Sequence, residues 1–302
     1  MAKTALLFPG QGAQSVGMGV GLRERSPHAR ELFAIASEIL GYDLAKLCAE
    51  GPDSELARTV HSQPALFVHS AAALADFFQQ RPEVQQDVAL VAGLSLGEYS
   101  ALYAAGSLPF EEGVRLVAAR GNAMQQAASA VPSGMASILG LEREQVDALC
   151  DASRIEGEIL QVANLLCPGN IAISGHSGSL DRCEQNASAA SAKFIRLNVA
   201  GAFHTDIMAS AVGKLTEAIG LAQLRDSQVP LVSNVDATPH RNAGAFAQLL
   251  TRQIISPVLW EASLRRMISE GVEQFYEIGS GRVLTGTMKR TDRKIPCDAF
   301  GD

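Results

Sequence analysis

One segment of the chain joins an apolar strand to a helix through a Gly-x-Ser-x-Gly turn. Residues 88–92 form the apolar run, residues 93–97 read Gly-Leu-Ser-Leu-Gly, and residues 98–102 have a helical pattern. Strand, turn and helix in this order make a nucleophile elbow, in which the glycines allow a sharp turn and close packing. The segment therefore predicts that Ser95 projects from the turn, above the positive end of a helix, where it can attack an acyl carbon.

Alternating strands and helices surround this turn. Over residues 1–125, short apolar strands alternate with helical patterns, which is typical of a parallel α/β sheet. The order then changes at residues 131–134, Val-Pro-Ser-Gly, and residues 135–198 give strand, helix, strand, strand, helix, strand. This βαββαβ order is that of a split ferredoxin-like unit. After it, the α/β pattern resumes.

These patterns predict an α/β protein with a parallel-sheet core and an inserted ferredoxin-like small subdomain. We place the discontinuous core at residues 1–131 and 199–302, and the small subdomain at residues 132–198. A cleft should lie between the two units, and clefts of this kind are common ligand sites.

Composition and charge exclude several classes of function. The formal net charge is −7 and no long basic run occurs, which argues against nucleic-acid binding. No apolar stretch is long enough to span a membrane, and the first strand begins too early to leave room for a signal peptide. The five scattered cysteines predict reduced thiols in a cytoplasmic protein, and the six dispersed histidines predict no metal site.

Three further segments carry candidate functional residues at strand ends or on a helix face, where sites collect in α/β sheets. Residues 8–14 read Phe-Pro-Gly-Gln-Gly-Ala-Gln after the first strand. Residues 120–124 read Arg-Gly-Asn-Ala-Met, late in a predicted helix, and residues 201–205 read Gly-Ala-Phe-His-Thr.

Together these segments resemble the malonyl-CoA:acyl-carrier-protein transacylase family. The resemblance covers essentially the whole chain in order. It continues through Ser62-Gln63-Pro64-Ala65-Leu66, Pro168-Gly169, Asn234-Val235-Asp236, Gln253, Pro257-Val258 and Gly286. It implies a hydrolase-like α/β core with a ferredoxin-like insert, in agreement with the pattern of strands and helices.

The resemblance also implies roles for individual residues. Ser95 would be the nucleophile and His204 its general base, since a serine hydroxyl needs an adjacent base. The backbone carbonyl of Gln253 would orient His204. The backbone N–H groups of Gln11 and Leu96 would form the oxyanion hole.

Four more residues would bind substrate. Arg120 would hold the malonyl carboxylate, because a guanidinium matches a carboxylate with two hydrogen bonds. Phe203 would favour malonyl over branched malonyl groups. Gln63 either lines the pocket or caps its helix, and Asn164 either lines the pocket or occupies a structural turn.

The implied reaction has two halves and uses no metal or redox cofactor. Malonyl-CoA would acylate Ser95, and the phosphopantetheine thiol of an acyl carrier protein would then accept the malonyl group for fatty-acid biosynthesis. We expect a monomer with transient, electrostatic docking of the carrier. Candidate docking cations are Lys193 and Arg196 beside the last strand of the small subdomain, together with Lys289, Arg290, Arg293 and Lys294 near the C-terminus. An unperturbed His204 would give the pH–rate profile a limb near neutrality.

Several positions depart from the family pattern. Leu94 stands in the elbow where the family generally has histidine, and a leucine there can neither donate nor accept a hydrogen bond. Leu166, Asn170 and Ser280 replace asparagine, glutamine and proline. Leu94 leaves open an inactive carrier-binding homologue. A serine thioesterase or hydrolase is a second alternative, because Gly-x-Ser-x-Gly also serves esterases, and a polyketide-type acyltransferase of the same chemistry is a third.

Overall fold

Two β-sheets organise the chain. The computed structural model describes residues 3–302, and within them ten strands and thirteen α-helices occur. The strands are β1 (Thr4–Phe8), β2 (Val88–Gly93), β3 (Ser133–Leu139), β4 (Leu160–Cys167), β5 (Asn170–His176), β6 (Lys193–Arg196), β7 (Leu231–Val232), β8 (Pro239–His240), β9 (Gln274–Ile278) and β10 (Cys297–Phe300). The helices are α1 (Val20–Arg25), α2 (Pro27–Leu40), α3 (Leu44–Glu50), α4 (Asp53–Leu56), α5 (Thr59–Gln80), α6 (Gly97–Ala104), α7 (Phe110–Ala130), α8 (Arg143–Ser153), α9 (Ser177–Ala189), α10 (Ala209–Leu221), α11 (Ala243–Gln253), α12 (Trp260–Ser269) and α13 (Val283–Thr291).

The larger sheet has the strand order β10-β9-β1-β2-β7-β8, with only β8 antiparallel to its neighbour. Strand β1 is buried throughout, as a central parallel strand covered on both faces should be. Phe8 pairs with Gly93, so the carboxyl ends of β1 and β2 lie side by side. This register brings the loop after β1 next to the elbow after β2.

The smaller sheet is antiparallel, with the order β4-β5-β3-β6. Helices α8 and α9 pack on it over a separate apolar core that includes Ile138, Val146, Val162, Ile173 and Cys183. The first strand of the unit therefore lies between the third and the fourth. This confirms the predicted fold class, an α/β core with a ferredoxin-like unit, while the predicted boundaries at residues 131–132 and 198–199 stay a prediction.

Strand β4 joins the small sheet to the core. The Leu165 N–H donates to the Val258 carbonyl, and the Val258 N–H donates to the Ala163 carbonyl, at 2.9 and 2.8 Å. Leu166 packs against the part of the core that contains Leu94. One end of the small sheet is thereby fixed beside the elbow.

Five strands or helices were not predicted from the sequence: α1, α3, α10, β8 and β10. Helix α10 contains Gly213 and Gly220, which lower its intrinsic helix propensity. It nevertheless forms because Ala211, Leu215 and Ile219 are buried along one face, which packs against α7. Tertiary burial therefore outweighed local propensity.

None of the helices in the described part of the chain is both long enough and apolar enough to cross a bilayer. All five cysteines are free thiols, and four of them are buried.

Candidate active site

The elbow places Ser95 in an unusual backbone conformation. Its φ is +51°, in the left-handed region that non-glycine residues rarely occupy. A Cβ on Gly93 would overlap the backbone of Gly97, and a Cβ on Gly97 would overlap the Phe8 carbonyl. Both glycines are therefore required by close backbone contacts, as the motif predicted.

Asn234 stabilises this turn from the next strand of the sheet. The Ser95 N–H donates to Asn234 Oδ1 at 2.7 Å, and Asn234 Nδ2 donates to the Gly93 carbonyl at 2.7 Å. The Asn234 side chain is fully buried just after β7. Its two hydrogen bonds offset the cost of the strained backbone, which is about 1–3 kcal/mol for such a residue.

His204 lies within hydrogen-bond distance of the serine. Its Nε2 is 2.8 Å from Ser95 Oγ, and its Nδ1 is 2.8 Å from the Gln253 carbonyl oxygen. Since a carbonyl only accepts, Nδ1 carries the proton and Nε2 is free to accept from the serine hydroxyl. The three groups form a chain in which a carbonyl replaces the carboxylate of a triad.

The environment of His204 disfavours its charged form. Burial and the nearby Arg120 cation lower the pKa of His204 to about 4. The imidazole is therefore neutral and able to accept a proton throughout the physiological range. The expectation that His204 gives the pH–rate profile a limb near neutrality is wrong. It assumed the pKa of a solvated ring, whereas this ring is buried.

Arg120 is a buried cation beside Ser95. It is 1% exposed, and its Nη2 donates to Ser95 Oγ at 3.1 Å and to Gln253 Oε1 at 3.0 Å. Its guanidinium lies 5.2 Å from the centre of the Tyr99 ring. No carboxylate in residues 3–302 forms an ion pair with it, and its buried Nε has no hydrogen-bond partner there. The site thus presents a positive charge that lacks an anion.

Two neighbours of Ser95 had no role predicted from the sequence: Glu98, which follows the elbow and belongs to the family resemblance, and the side chain of Gln253. Gln253 Nε2 donates to the Ser95 carbonyl at 3.0 Å and to the Glu98 carboxylate. Glu98 is 1% exposed and also accepts from the Asn234 N–H at 3.4 Å. A glutamate within an otherwise buried, apolar elbow helix was the available signal.

The predicted oxyanion donors lie in two neighbouring loops, Gln11 after β1 and Leu96 directly after Ser95. The N–H groups of Gln11 and Leu96 donate to no acceptor within the described residues. Gly10 lies so close to the elbow that a Cβ there would overlap the Leu94 carbonyl. The two donors therefore sit on adjoining turns with their hydrogen-bonding capacity unused.

A cavity of about 80 Å³ opens in front of Ser95. Six predicted site residues line it: Gln11, Ser95, Arg120, Asn164, Phe203 and His204. Leu94 lines it too, together with Met124, Met135, Leu197 and Val199. Its lining is therefore apolar apart from a few polar groups, as is usual for a small-molecule site.

Two predicted substrate residues differ in their placement. Asn164 lies in strand β4 rather than in a turn, and its buried Oδ1 has no partner within the described chain. Gln63 is fully buried inside α5, behind Met124, whose sulfur lies 3.6 Å from Gln63 Nε2. Gln63 neither lines the cavity nor caps its helix, which begins at Thr59.

The part of the chain that the structure describes holds no group of three or more histidine, cysteine, aspartate or glutamate side chains suited to a metal ion. What the arrangement can do is covalent catalysis. A serine bonded to a neutral histidine, with free N–H donors and a cation nearby, fits acyl transfer of an anionic acyl group.

Comparison with known proteins agrees with this geometry. The family model described as "Acyl transferase domain" matches residues 5–298. The malonyl CoA-acyl carrier protein transacylase of Bacillus subtilis is 41% identical over 303 residues, covering 100% of this chain and 94% of the relative. The human mitochondrial malonyl-CoA-acyl carrier protein transacylase is 41% identical over 95% of this chain and 76% of its own length.

Solved structures show the same likeness. The crystal structure of malonyl-CoA:acyl carrier protein transacylase from Xanthomonas oryzae pv. oryzae superposes with a TM-score of 0.94 at 38% identity, covering 99% of this chain and 94% of that one. A malonyl-transacylase solved in complex with a type II PKS acyl-carrier protein gives 0.93 at 37% identity, covering 100% and 96%. The serine–histidine site therefore has the setting expected of an enzyme, and the chain belongs to the acyl transferase family.

Proposed function

We propose that this protein transfers a malonyl group from malonyl-CoA to the phosphopantetheine thiol of an acyl carrier protein, through a malonyl ester of Ser95. The observation that carries the proposal is Arg120, a buried guanidinium without an ion-pair partner within residues 3–302, 3.1 Å from the nucleophilic oxygen. A buried unpaired charge is costly, so a substrate that brings a carboxylate gains more than one that does not.

In the first half-reaction, His204 Nε2 takes the Ser95 Oγ proton as the oxygen attacks the thioester carbonyl. The resulting oxyanion accepts hydrogen bonds from the N–H groups of Gln11 and Leu96. One such donor typically contributes about 2.7–4 kcal/mol to lowering a barrier of this kind. The carbon–sulfur bond then breaks, and coenzyme A leaves as a thiol with the proton from His204.

In the second half-reaction, the carrier thiol enters the same cavity and His204 removes its proton. The thiolate attacks the malonyl ester, and the same two N–H groups stabilise the second oxyanion. The carbon–oxygen bond breaks, and Ser95 regains its proton from His204. The reaction involves no oxidation or reduction, so the proposal includes no cofactor beyond the substrates.

Arg120 also links substrate charge to base strength. In the free enzyme, burial and then the Arg120 cation hold the pKa of His204 down. A malonyl carboxylate paired with Arg120 cancels part of that positive charge, so the pKa of His204 rises when the correct substrate binds. An acetyl group has no such effect. Selection for malonyl therefore acts on the rate of acylation as well as on binding.

The carrier would dock on a basic surface near α13. Carriers in this family are acidic while the chain itself has a net charge of −7, so encounter requires a local cluster of cations. Arg196, one candidate, is already paired with Asp181 and Glu184. Among the described residues, Lys289, Arg290, Arg293 and Lys294 form no ion pair, and Arg290 reaches across to the Pro168 carbonyl of the small subdomain at 2.8 Å.

Fatty-acid synthesis is the pathway we propose, with a monomeric enzyme in the cytoplasm. A polyketide carrier is the second candidate, because one structural neighbour was solved with a type II PKS carrier protein. Parallel transfer assays with a fatty-acid carrier and a polyketide carrier separate the two, and size-exclusion chromatography tests the monomer.

Intact-protein mass spectrometry tests the chemistry. After incubation with malonyl-CoA, the wild type should gain one malonyl group and lose it on addition of holo carrier. Ser95→Ala should gain none, whereas the exposed-serine control Ser269→Ala should behave as the wild type. An adduct that persists in Ser95→Ala contradicts the proposal, and release of free malonate instead of transfer favours a hydrolase.

A further inference from the structure

Behind the reacting groups lies a second buried charge, Glu98. One carboxylate oxygen accepts from Gln253 Nε2, and the other accepts from the Asn234 N–H. Glu98 is 1% exposed, and no cation in the described part of the chain forms an ion pair with it. The mechanism above does not use this group, yet its burial is costly and calls for a role.

Glu98 determines how the amide of Gln253 is oriented. Nε2 can only donate, and it donates to Glu98 and to the Ser95 carbonyl. Oε1 is therefore turned towards Arg120, from which it accepts at 3.0 Å. If the amide flipped, its NH₂ group would face the guanidinium donors, and both sides would lose a hydrogen bond.

The same glutamine also bonds to the base. Its backbone carbonyl accepts from His204 Nδ1 at 2.8 Å. Gln253 therefore contacts both the proposed proton acceptor, His204, and the proposed acyl-binding cation, Arg120. Glu98 is also linked to the elbow through Asn234. The Asn234 N–H donates to Glu98, and Asn234 Oδ1 accepts from the Ser95 N–H at 2.7 Å.

We propose that Glu98 is a positioning residue whose carboxylate locks the Gln253 amide and supplies the counter-charge of Arg120 through that amide. This deepens the proposed function and rests on it. Two opposite charges, one on α6 and one on α7, are thus joined by a neutral bridge from α11. The bridge leaves the guanidinium available to a substrate carboxylate, which a direct ion pair with Glu98 would not.

The ionised form of Glu98 is the one that works. Burial raises the pKa of Glu98 to about 7, although hydrogen bonds from Gln253 and Asn234 and the Arg120 cation oppose the rise. Arg120 and Tyr99 are the charged or titratable groups that interact with Glu98, and the side chain of Ser233 also hydrogen-bonds to its carboxylate. Malonyl loading should therefore fall as the pH drops through about 7, well above the pKa of His204.

The test is the pH profile of malonyl loading in Glu98→Gln, with the malonyl adduct measured by mass spectrometry. The variant keeps the shape of the side chain but replaces one acceptor with a donor. We expect kcat/KM to fall about 10- to 100-fold at pH 8, the range for one buried group left unsatisfied, and the limb near pH 7 to disappear. A uniform loss that retains this limb indicates a structural role only and overturns the proposal.

Two further variants keep the proposal testable if Glu98→Gln does not fold. Glu98→Asp retains a carboxylate and should retain an acid limb. Arg120→Ala removes the cation that lowers the pKa of Glu98. In the pH profile of acetyl-CoA loading, the acid limb of this variant should therefore lie at higher pH than that of the wild type. An unmoved limb contradicts the proposal. Absence of any malonyl adduct in the wild type would instead contradict the proposed function, so the two failures are distinguishable.

Discussion

The two walls of the active-site cavity are built differently. On the core wall, Ser95, Asn234 and Gln253 join in a continuous hydrogen-bond network with distances of 2.7 to 3.1 Å. The wall next to the small sheet has Met135, Leu197 and Val199, and its polar member Asn164 has an Oδ1 without a partner in the described chain. The core wall therefore carries a connected network of side-chain hydrogen bonds, whereas the wall next to the small sheet is mainly apolar.

The difference corresponds to a division of work. Strained residues persist only where their surroundings fix them, and the core wall holds both Ser95 and His204 at positive φ, +51° and +62°. The opposite wall offers apolar surface and an unused acceptor, which are suited to a ligand that comes and goes. Changes on the core wall should therefore alter the rate of chemistry, and changes on the other wall should alter binding.

The largest effect should come from the base on the core wall. His204→Ala should slow malonyl loading about 10²- to 10⁴-fold, the usual contribution of general acid–base catalysis. In the wild type the base form is lost as pH falls through the lowered pKa of about 4, so this acid limb should vanish in the variant. Single-turnover loading across pH 3–8 measures both, with the exposed His28→Ala as control. A retained limb near pH 4 would mean that another group accepts the proton.

Arg120 tests whether the core wall also selects the acyl group. Arg120→Ala should raise the activation free energy of malonyl loading by about 3–5 kcal/mol, the cost of breaking a buried ion pair. The rate of acetyl loading should fall less or rise. Arg120→Lys should rescue malonyl loading only in part, because lysine lacks the planar fork. Arg115→Ala, an exposed residue of the same helix paired with Glu111 and Glu112, is the matched control. Equal loss with both substrates would refute the assignment.

A substitution of Asn164 tests the role of the wall next to the small sheet. Asn164→Ala should raise the KM for malonyl-CoA about 2- to 10-fold, the worth of one hydrogen bond, and leave kcat nearly unchanged. Removal of an unsatisfied buried acceptor should not lower the melting temperature. The exposed Asn122→Ala should change neither quantity. A destabilised variant with normal KM would show that Asn164 is structural and that the two walls do not differ in this way.

The smallest effect is expected outside the cavity, on α13. Reversal of charge at Lys289 and Arg290 together should raise the KM for the carrier roughly threefold to tenfold, since exposed ion pairs are weak, and should leave malonyl-CoA loading unchanged. Steady-state transfer at two salt concentrations measures this, with reversal of Arg265 and Arg266 as the control. Equal loss in loading and transfer would indicate a folding defect rather than docking.

Local patterns predicted the framework of this site well. The elbow at residues 93–97 and the βαββαβ order were both legible because each depends on neighbours a few residues apart. Gln63 was harder to place, since helix periodicity does not say whether Met124 stands between it and the cavity. Helix α10 was missed for a similar reason, because only packing on α7 makes its glycine-containing sequence helical.

By itself, the sequence determined the strand-to-helix turn, the order of the strands along the chain and the residue types available for catalysis. A turn of five residues has few backbone solutions, and glycine at both ends leaves a serine only one way to project. Only the tertiary structure decided the protonation of His204 and the link from Glu98 through Gln253 to Arg120. The protonation of His204 depends on burial and on its contact with the Gln253 carbonyl, and the link depends on contacts between residues more than 130 positions apart. No local pattern encodes either.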